Sequence, residues 1–355
     1  MTETTGTSTR VDGIHLAGIG TFVPDAVSVR SAARRGLVDE ETSARSGISG
    51  VAVAGDLPAT EMAVRAGAEA IKNSGLAGAD IRLLLYAGVW HQGPDGWGPQ
   101  YFVQRELLGD DVLAVEVRQG CNGFFTALEL AVPYLAAAPE GTAALIVASD
   151  NFGTPLIDRW QLGDGLAYLG DGASAVTVSR APGPVQLRSL CSASYSEMEG
   201  AHRSGLPLFP PGVTVGTSVD FRSRAESFRD AAISGGWWMR FLAGHNARIT
   251  QCANRALEEA GVARADVKYV LTHGMPRQSA ISYLRLLGFP FERSTWDFAR
   301  TIGHLGASDH FVALHHLLTE GALGAGDHVL LSGYSPGLTY KSAVLRITAD
   351  APATA

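Results

Sequence analysis

The hydrophobic positions along the chain follow two patterns that alternate, and these predict strands and helices in turn. Short runs rich in Val, Ile and Leu, such as 81–89 and 144–149, have the length of buried strands. Residues 59–75 and 122–137 place apolar side chains at helical spacing, and Gly75 follows the first of them as a helix stop. Further strands are predicted at 14–24, 112–119 and 173–179. This alternation predicts an α/β fold.

The second half of the chain repeats the plan of the first. Three pairs of segments match in order: 75–88 with 261–274 at an offset of 186 residues, 144–150 with 328–334 at 184, and 173–179 with 341–347 at 168. Three matches in the same order, two of them at nearly one offset, indicate an internal duplication. We therefore expect two halves, 1–182 and 183–355, related by a pseudo-dyad axis.

Two segments fall outside this repeat and are candidates for shaping a binding site. Residues 183–244 are rich in Gly, Pro and Ser and are too long for a plain connection, so we expect a loop-rich insertion that covers the site. Residues 89–102 (VWHQGPDGWGPQYF) place aromatic and polar side chains in a loop. Both segments are candidates for the pocket of a small-molecule substrate.

Charge and composition exclude several classes of protein. The 355 residues carry a net charge of -7, which argues against nucleic acid or an anionic membrane as the main partner. The longest apolar runs are strand-sized, and the first ten residues lack the apolar core of a signal peptide. The cysteines, at 121, 191 and 252, are odd in number and have no metal-ligand spacing. We expect a reduced, cytoplasmic protein without a structural metal.

Cys121 lies where a predicted strand meets a predicted apolar helix, with glycines on either side at 120 and 123. A cysteine at a helix start meets unpaired backbone N–H groups and the positive end of the helix dipole. Both favour the thiolate, which is the nucleophilic form, and the Cys121 N–H would be one donor to an oxyanion. The alternative is a small buried residue at a tight joint, and the local pattern does not separate the two.

His304 is the natural base for this nucleophile, because it precedes a helix start at the matching place in the second half. Asp309 lies five residues further on, about 140° away on an ideal helix, so the two can meet only if His304 is in the loop. Otherwise Asp309 complements the helix dipole. His273 ends a duplicated strand, where sites form in α/β proteins, although a buried polar core group is the alternative.

The motifs, taken in order, resemble the β-ketoacyl-ACP synthase III family of the thiolase superfamily. The segment QGCNGFFTALELA resembles the nucleophile motif of that family, and YLGDGASAVTV (168–178) is similar to its strand turn. IHLAGIGTFVP and SGYSPGLTYKSAVLRI resemble the opening strand and the closing Gly-rich loop with its strand. The resemblance covers nearly the whole chain.

The resemblance implies a thiolase fold, five-layered αβαβα with two duplicated halves, in a homodimer. It also implies that a thioester acylates Cys121, with the N–H groups of Cys121 and Gly337 as the oxyanion hole, and that His273 is a catalytic histidine. The acyl donor would be acyl-CoA or an acyl carrier protein, and no cofactor would be tightly bound.

Three departures from the family pattern bear on the reaction. His304 replaces the Asn of the condensing members. A histidine there resembles the related synthases with two histidines, which also decarboxylate, so His304 alone does not settle the reaction. Asp309, in contrast, has no role in decarboxylative chemistry. An Asp behind a His makes the imidazole a better base, which an alcohol acceptor needs. Glu41 stands where bacterial members have a CoA-stacking Trp, which favours a carrier protein as donor.

His304 with Asp309 resembles a branch of synthase-III-like enzymes that acylate hydroxyl groups in natural-product tailoring. This resemblance implies an acyltransferase that moves an acyl group through Cys121 to a hydroxyl of a natural product, such as a sugar hydroxyl. His304, oriented by Asp309, would be the base, and His273 would support the site by hydrogen bonding. The alternatives are decarboxylative condensation to a β-ketoacyl product and a carrier-protein-binding scaffold without turnover.

Overall fold

The computed structural model describes residues 7–161, 168–209, 218–335 and 338–349. Within them the strands are β1 (Thr7–Ser8), β2 (His15–Phe22), β3 (Ala26–Ser28), β4 (Gly50–Ala52), β5 (Ile81–Ala87), β6 (Leu113–Val117), β7 (Ala143–Asp150), β8 (Gly172–Ser179), β9 (Val185–Ser194), β10 (Val267–Leu271), β11 (His328–Ser335) and β12 (Thr339–Ile347). The helices are α1 (Val29–Arg34), α2 (Glu40–Ser46), α3 (Ala59–Ser74), α4 (Pro99–Leu107), α5 (Gly123–Ala137), α6 (Phe221–Ser234), α7 (Trp238–Ala260), α8 (Arg277–Leu287), α9 (Trp296–Ala299) and α10 (Asp309–Thr319). The predicted α/β class is confirmed.

Ten of these strands form one mixed sheet. Its order is β10-β11-β12-β9-β2-β8-β7-β5-β6, and β1 pairs with the side of β9. The pairs β10–β11, β5–β6 and β5–β7 are parallel, and the others along the path are antiparallel. Only two residue pairs join β2 to β9, so this seam divides the sheet into two parts.

The two parts of the sheet have matching strand orders. The run β5-β7-β8-β2 on one side of the seam corresponds to β10-β11-β12-β9 on the other. A 3-10 turn precedes β5 at Gly78–Asp80, and its counterpart precedes β10 at Arg264–Asp266. The helices before these turns end at Gly75 and Gly261, both in the left-handed conformation that favours glycine. The two halves therefore share one plan.

Three apolar cores separate five layers. The outer core of the first half packs α3 against β5, β7 and β8, and the outer core of the second half packs α7 and α8 against β9 to β12. The central core encloses α5 and α10 between the two parts of the sheet. Successive residues of β7 alternate between the central and the outer core, as a strand buried on both faces requires. The resulting order of layers is αβαβα.

The predicted insertion is only partly right. Residues 185–194 form β9, a ten-residue strand that pairs with β12 along its length, so this part of 183–244 belongs to the sheet. The remainder includes a 3-10 segment at Ser196–Ala201 and helix α6, and α7 already begins at Trp238. The boundary between halves at 182 and 183 stays a prediction. In the described part of the chain, no helix is both long and apolar enough to span a membrane.

Candidate active site

Cys121 lies in a 3-10 turn, Gly120–Asn122, just before α5. Gly120 has a φ of 54°, a left-handed value that turns the chain sharply at the cysteine. The sequence predicts Cys121 at the start of the helix. The α-helix begins at Gly123, so Cys121 stands two residues ahead of it. A Cβ at 123 would lie 3.1 Å from the Cβ of Ala87, which explains the close packing of this helix start on β5. Cys121 remains partly exposed.

The thiol of Cys121 faces the imidazole of His304. Sγ lies 3.0 Å from Nε2, although the two residues are 183 apart in the sequence. His304 lies outside any helix, ahead of a 3-10 turn (Gly306–Ser308) that leads into α10. The structure therefore brings together the cysteine of the first half and the histidine of the second.

Asp309 contacts the opposite side of the His304 ring. As the first residue of α10, it accepts a hydrogen bond from Nδ1 of His304 through Oδ2. The same oxygen accepts from the N–H of Gly274 at 2.8 Å, and Oδ1 accepts from the N–H of Leu305 at 2.7 Å. These bonds hold the carboxylate, so that Nδ1 of His304 donates to Asp309 and Nε2 points at Cys121. Asp309 thus does more than complement a helix dipole.

Charge within this cluster favours an ionised pair. Burial lowers the pKa of His304, but the negative charges of Asp309 and Cys121 outweigh burial and raise the pKa well above its ordinary value. Burial raises the pKa of Asp309, whereas the positive charge of His304 and the hydrogen bonds hold it far below its usual range. The arrangement stabilises the imidazolium form of His304 beside an ionised Asp309.

The backbone of His304 is fixed by the first residues of the predicted strand turn (168–178). Its N–H donates to the carbonyl of Tyr168 at 2.8 Å, and its carbonyl accepts from the N–H of Gly170 at 2.9 Å. Asp171 anchors that segment through a buried ion pair with Arg159 at 3.0 Å. The histidine is therefore held by a rigid element, which suits a catalytic group.

His273 lies two residues beyond β10, on the far side of Asp309. Its ring centroid is 5.4 Å from that of His304 and 4.6 Å from that of His310. Nδ1 is 3.7 Å from Oδ2 of Asp309, which is longer than a hydrogen bond. Burial lowers the pKa of His273, so the ring is neutral near pH 7. A Cβ at Gly333 would overlap Nε2, which explains the glycine there.

The second predicted oxyanion donor, Gly337, lies outside the described residues. The segments on either side of it approach Cys121. Ser335 donates through its hydroxyl to the carbonyl of Gln119 at 3.0 Å, and the Asn122 amide donates to the carbonyl of Thr339 at 3.0 Å. The oxyanion hole stays a prediction.

Neither the other two thiols nor a possible metal site competes with the arrangement of Cys121, His304 and Asp309. Cys252 and Cys191 are buried, and burial raises the pKa of both thiols, to about 12 for Cys252. Ligand atoms of His273, His304 and Asp309 lie within 4.8 Å of one another, which is close enough for a shared metal ion. An ion there would displace the bond between Nδ1 of His304 and Asp309, so the cluster fits proton transfer better than metal binding.

The sequence analysis missed two buried residues beside the site. His310 packs against the rings of Phe125 and His273, and its Nε2 donates to the carbonyl of Ser332 at 3.1 Å. Asp150 ends β7 and is fully buried next to the turn that follows His304. The position of Asp150 at the carboxyl end of a buried strand was the available signal.

Comparison with known families finds matches to both halves. The family model for 3-oxoacyl-[acyl-carrier-protein (ACP)] synthase III matches residues 115–196, and that for the C-terminal part of this synthase matches 257–347. A beta-ketoacyl-[acyl-carrier-protein] synthase III from Pseudomonas aeruginosa (strain LESB58) is 29% identical over 338 residues, 93% of this chain and 96% of its own length. A second, from Aquifex aeolicus (strain VF5), is 24% identical over 94% of this chain and 99% of its own.

Solved structures with the same architecture include an acyltransferase. ChlB3, described as an acyltransferase, is 44% identical with a TM-score of 0.90, covering 96% of this chain and 99% of its own. The 3-oxoacyl-(acyl carrier protein) synthase III from Pseudomonas aeruginosa PAO1 is 22% identical with a TM-score of 0.74, covering 97% and 100%. The second likeness speaks to the fold alone, and it confirms the predicted thiolase fold.

Proposed function

The chain belongs to the β-ketoacyl-ACP synthase III-like family of the thiolase superfamily, and from this premise we propose that it acylates a hydroxyl group of a natural product. The family places it among enzymes with transferase-type acyl chemistry. We propose an acyl thioester of a carrier protein or of CoA as donor, and a sugar hydroxyl as the first candidate acceptor. The work of such an enzyme would lie in secondary metabolism, such as antibiotic biosynthesis, in the cytoplasm.

In the first half-reaction, Cys121 takes the acyl group. The Cys121 thiol gives its proton to Nε2 of His304, and the sulfur attacks the thioester carbonyl. The N–H groups of Cys121 and Gly337 would hold the oxyanion. When the bond between the carbonyl carbon and the donor sulfur breaks, Nε2 of His304 returns its proton to the departing thiolate.

In the second half-reaction, the acceptor hydroxyl takes the acyl group from Cys121. Nε2 of His304 removes the hydroxyl proton as the oxygen attacks the carbonyl. The bond between the carbonyl carbon and Sγ then breaks, and the proton on His304 goes to the sulfur. Asp309 stabilises the imidazolium that exists between these two transfers, and His273 supports the site from the other side of Asp309.

The line of contacts from Asp309 through His304 to Cys121 is the observation that carries this proposal. A histidine whose Nδ1 donates to an ionised carboxylate is a base at Nε2, which is the role that an alcohol acceptor requires. The 44% identity to an acyltransferase over 96% of this chain supports the same assignment.

Decarboxylative condensation is the second candidate. It is favoured by the synthase III relatives and by the neutral, buried ring of His273 beside His304, because two imidazoles can hold an enolate. In that reaction a malonyl thioester loses CO2, and the enolate that remains attacks the acyl-enzyme carbonyl and displaces Sγ of Cys121. The bond from Nδ1 of His304 to Asp309 favours the first candidate instead, because it makes Nε2 a stronger base, which an alcohol acceptor needs and an enolate does not.

We also propose a homodimer that forms along the free edge of the sheet. Strand β6 ends the sheet, yet Leu113 and Val115 on it are exposed, and Leu130 of α5 is exposed nearby. An apolar edge strand left open invites pairing with a second chain, and a second copy offers the same apolar strand.

The test is intact-mass analysis of the protein after exposure to a panel of acyl-CoA and acyl-ACP donors. We expect an acyl adduct on the wild type and on Cys252→Ala, a matched variant of a buried thiol, but not on Cys121→Ala. The adduct should then disappear on adding a hydroxyl acceptor, with an ester as product. CO2 release and a β-ketoacyl product from malonyl-ACP would instead establish condensation. If no donor formed an adduct, the protein would be a carrier-protein-binding scaffold without turnover.

A further inference from the structure

Asp150 is a buried carboxyl that the proposed mechanism does not use. It is the last residue of β7 and has no exposed surface. Its Oδ1 accepts from the backbone N–H groups of Val89 and Trp90 at 2.8 and 3.0 Å, and from the Gln92 amide at 3.4 Å. Oδ2 lies 3.0 Å from the N–H of Val89. The carboxylate therefore holds the chain that follows β5, which we call the 88–92 loop.

The opposite face of this carboxylate packs against the turn that carries the catalytic histidine. A Cβ at Gly306 would lie 2.7 Å from Oδ2 of Asp150 and 2.9 Å from Cγ2 of Val89. Gly306 stands between His304 and Asp309 in the chain. Asp150 thus touches the 88–92 loop and the histidine turn at once, although it belongs to neither.

The loop that Asp150 holds forms a wall beside His304. Val89 and Trp90 pack with an apolar cluster that includes Leu169. Leu169 pairs with His304 in a parallel β-bridge. Val89 and Trp90 are only partly buried, so part of this wall is open to a bound molecule. A shift of the loop would therefore disturb the packing around the segment that carries His304.

We infer that Asp150 is a positioning residue for the second half-reaction: it holds the 88–92 loop against the histidine turn, so that the wall orients the acceptor hydroxyl toward His304. This inference rests on the proposed transfer to a hydroxyl. The donor thioester is not its target, because Asp150 contacts neither Cys121 nor its turn among the described hydrogen bonds. Asp150 accepts hydrogen bonds from two backbone N–H groups, and removing its carboxyl leaves both without this acceptor.

The electrostatics of Asp150 agree with a functional position. Burial raises the pKa of this carboxyl to about 7, against the N–H groups of Trp90 and Val89 and the charge of His304, which lower it. A carboxyl that is costly to ionise and that stands beside a charged histidine is more common at functional sites than in plain cores.

The experiment compares Asp150→Ala and Asp150→Asn with the wild-type protein by two readouts. Hydrogen exchange of a peptide covering 88–92 reports the hydrogen bonds between Asp150 and the loop, and we expect faster exchange in Asp150→Ala. Transfer kinetics should show the KM for the acceptor rising by about tenfold in Asp150→Ala, the order expected for losing a charged hydrogen-bond acceptor, with the rate of acyl-enzyme formation unchanged. Asp150→Asn keeps one acceptor oxygen and should show a smaller rise in KM, which also covers the case in which Asp150→Ala fails to fold.

Asp158→Asn is the matched control, because Asp158 is exposed and also accepts a backbone N–H, from Trp160 at 2.9 Å. We expect no change in it. Unchanged exchange in both Asp150 variants would overturn the inference, and so would equal losses in acyl-enzyme formation and in transfer. If the wild type transfers to no hydroxyl acceptor, the proposed function fails. Hydrogen exchange would still test whether Asp150 holds the 88–92 loop.

Discussion

The turn that carries Cys121 and the turn that follows His304 occupy matching places in the two halves. Gly120–Asn122 and Gly306–Ser308 are both 3-10 turns that begin with a left-handed glycine, at φ of 54° and 63°. Each leads directly into a central helix, α5 at Gly123 and α10 at Asp309. One backbone plan is used twice, and only the side chains placed on it differ.

The helices that follow these turns pack on each other as a two-fold related pair would. Phe124 stacks on Phe311 with ring centroids 3.8 Å apart, and Phe125 meets His310 at 4.8 Å. With the offset of 186 residues, 124 corresponds to 310 and 125 to 311, so each contact is the counterpart of the other. The duplicated frame itself therefore brings the two turns face to face.

The difference between the turns lies in a few polar substitutions. The first turn carries Cys121, where the second has Ala307, and the first helix begins with Gly123, where the second begins with Asp309. An aspartate at 123 would be crowded, because a Cβ there would lie 3.1 Å from the Cβ of Ala87. The comparison shows that one half supplies the nucleophile and the other supplies the base and its carboxylate.

Among the variants that disturb one of the two turns, we expect the largest effect, on the rate of acyl transfer, from Asp309→Asn. The amide no longer stabilises the imidazolium of His304, so transfer from the acyl-enzyme should slow by roughly 10²- to 10⁴-fold while the acyl-enzyme still forms. Single-turnover decay of the acyl adduct, followed by intact mass, measures this rate.

Glu61→Gln is the control for Asp309→Asn, because it removes an exposed carboxylate from the first turn of α3. If Asp309 acted only through the helix dipole, its loss and the loss of Glu61 would have similar effects on the transfer rate. Normal transfer by Asp309→Asn would reduce Asp309 to that structural role and remove the support for transfer to a hydroxyl.

The contact between the two turns could be predicted from the sequence, because the same apolar strand patterns recur in the same order in both halves. The pairing of His304 with Asp309 was also open to prediction, provided that the histidine lay ahead of the helix, as it does. Composition gave a wrong prediction for β9. This strand of the sheet lies at the start of a segment that is otherwise rich in Gly, Pro and Ser, a composition that predicts an insertion.

Asp150 could not be predicted in the same way. Its partners are backbone N–H groups about 60 residues away, and a backbone donor leaves no residue type for the sequence to display. The matching strand end in the other half is Ser335, which donates to the carbonyl of Gln119 beside Cys121. Each half thus uses the end of a strand to touch a turn of the other half, but with unrelated side chains.

The next effect in size is the pH dependence of stability that Asp150 imposes. Because burial raises the pKa of Asp150 to about 7, the folded protein keeps this proton at pH values where the unfolded chain has lost it. The stability that follows from this is present below about pH 4 and is lost as the pH rises toward 7. Between pH 5 and pH 8 the loss is about 3 kcal/mol.

Asp150→Asn cannot lose this proton, so its free energy of unfolding should gain about 3 kcal/mol relative to the wild type between pH 5 and pH 8. Urea unfolding at a series of pH values measures the difference, and Asp158→Asn provides the control. Parallel curves for Asp150→Asn and the wild type would show that the carboxyl titrates normally.

The smallest effect concerns the glycine that lets the strand end of one half reach the turn of the other. Gly306→Ala and Gly261→Ala both place a Cβ at a left-handed residue, with φ of 63° and 65°. Nothing lies within 4 Å of a Cβ at 261, whereas a Cβ at 306 meets Asp150 and Val89. Both variants share the backbone cost, so the overlap alone should make Gly306→Ala less stable than Gly261→Ala by about 1–3 kcal/mol. Urea unfolding of the two variants measures this gap. Equal losses would mean that the histidine turn is held by its own half, without support from β7.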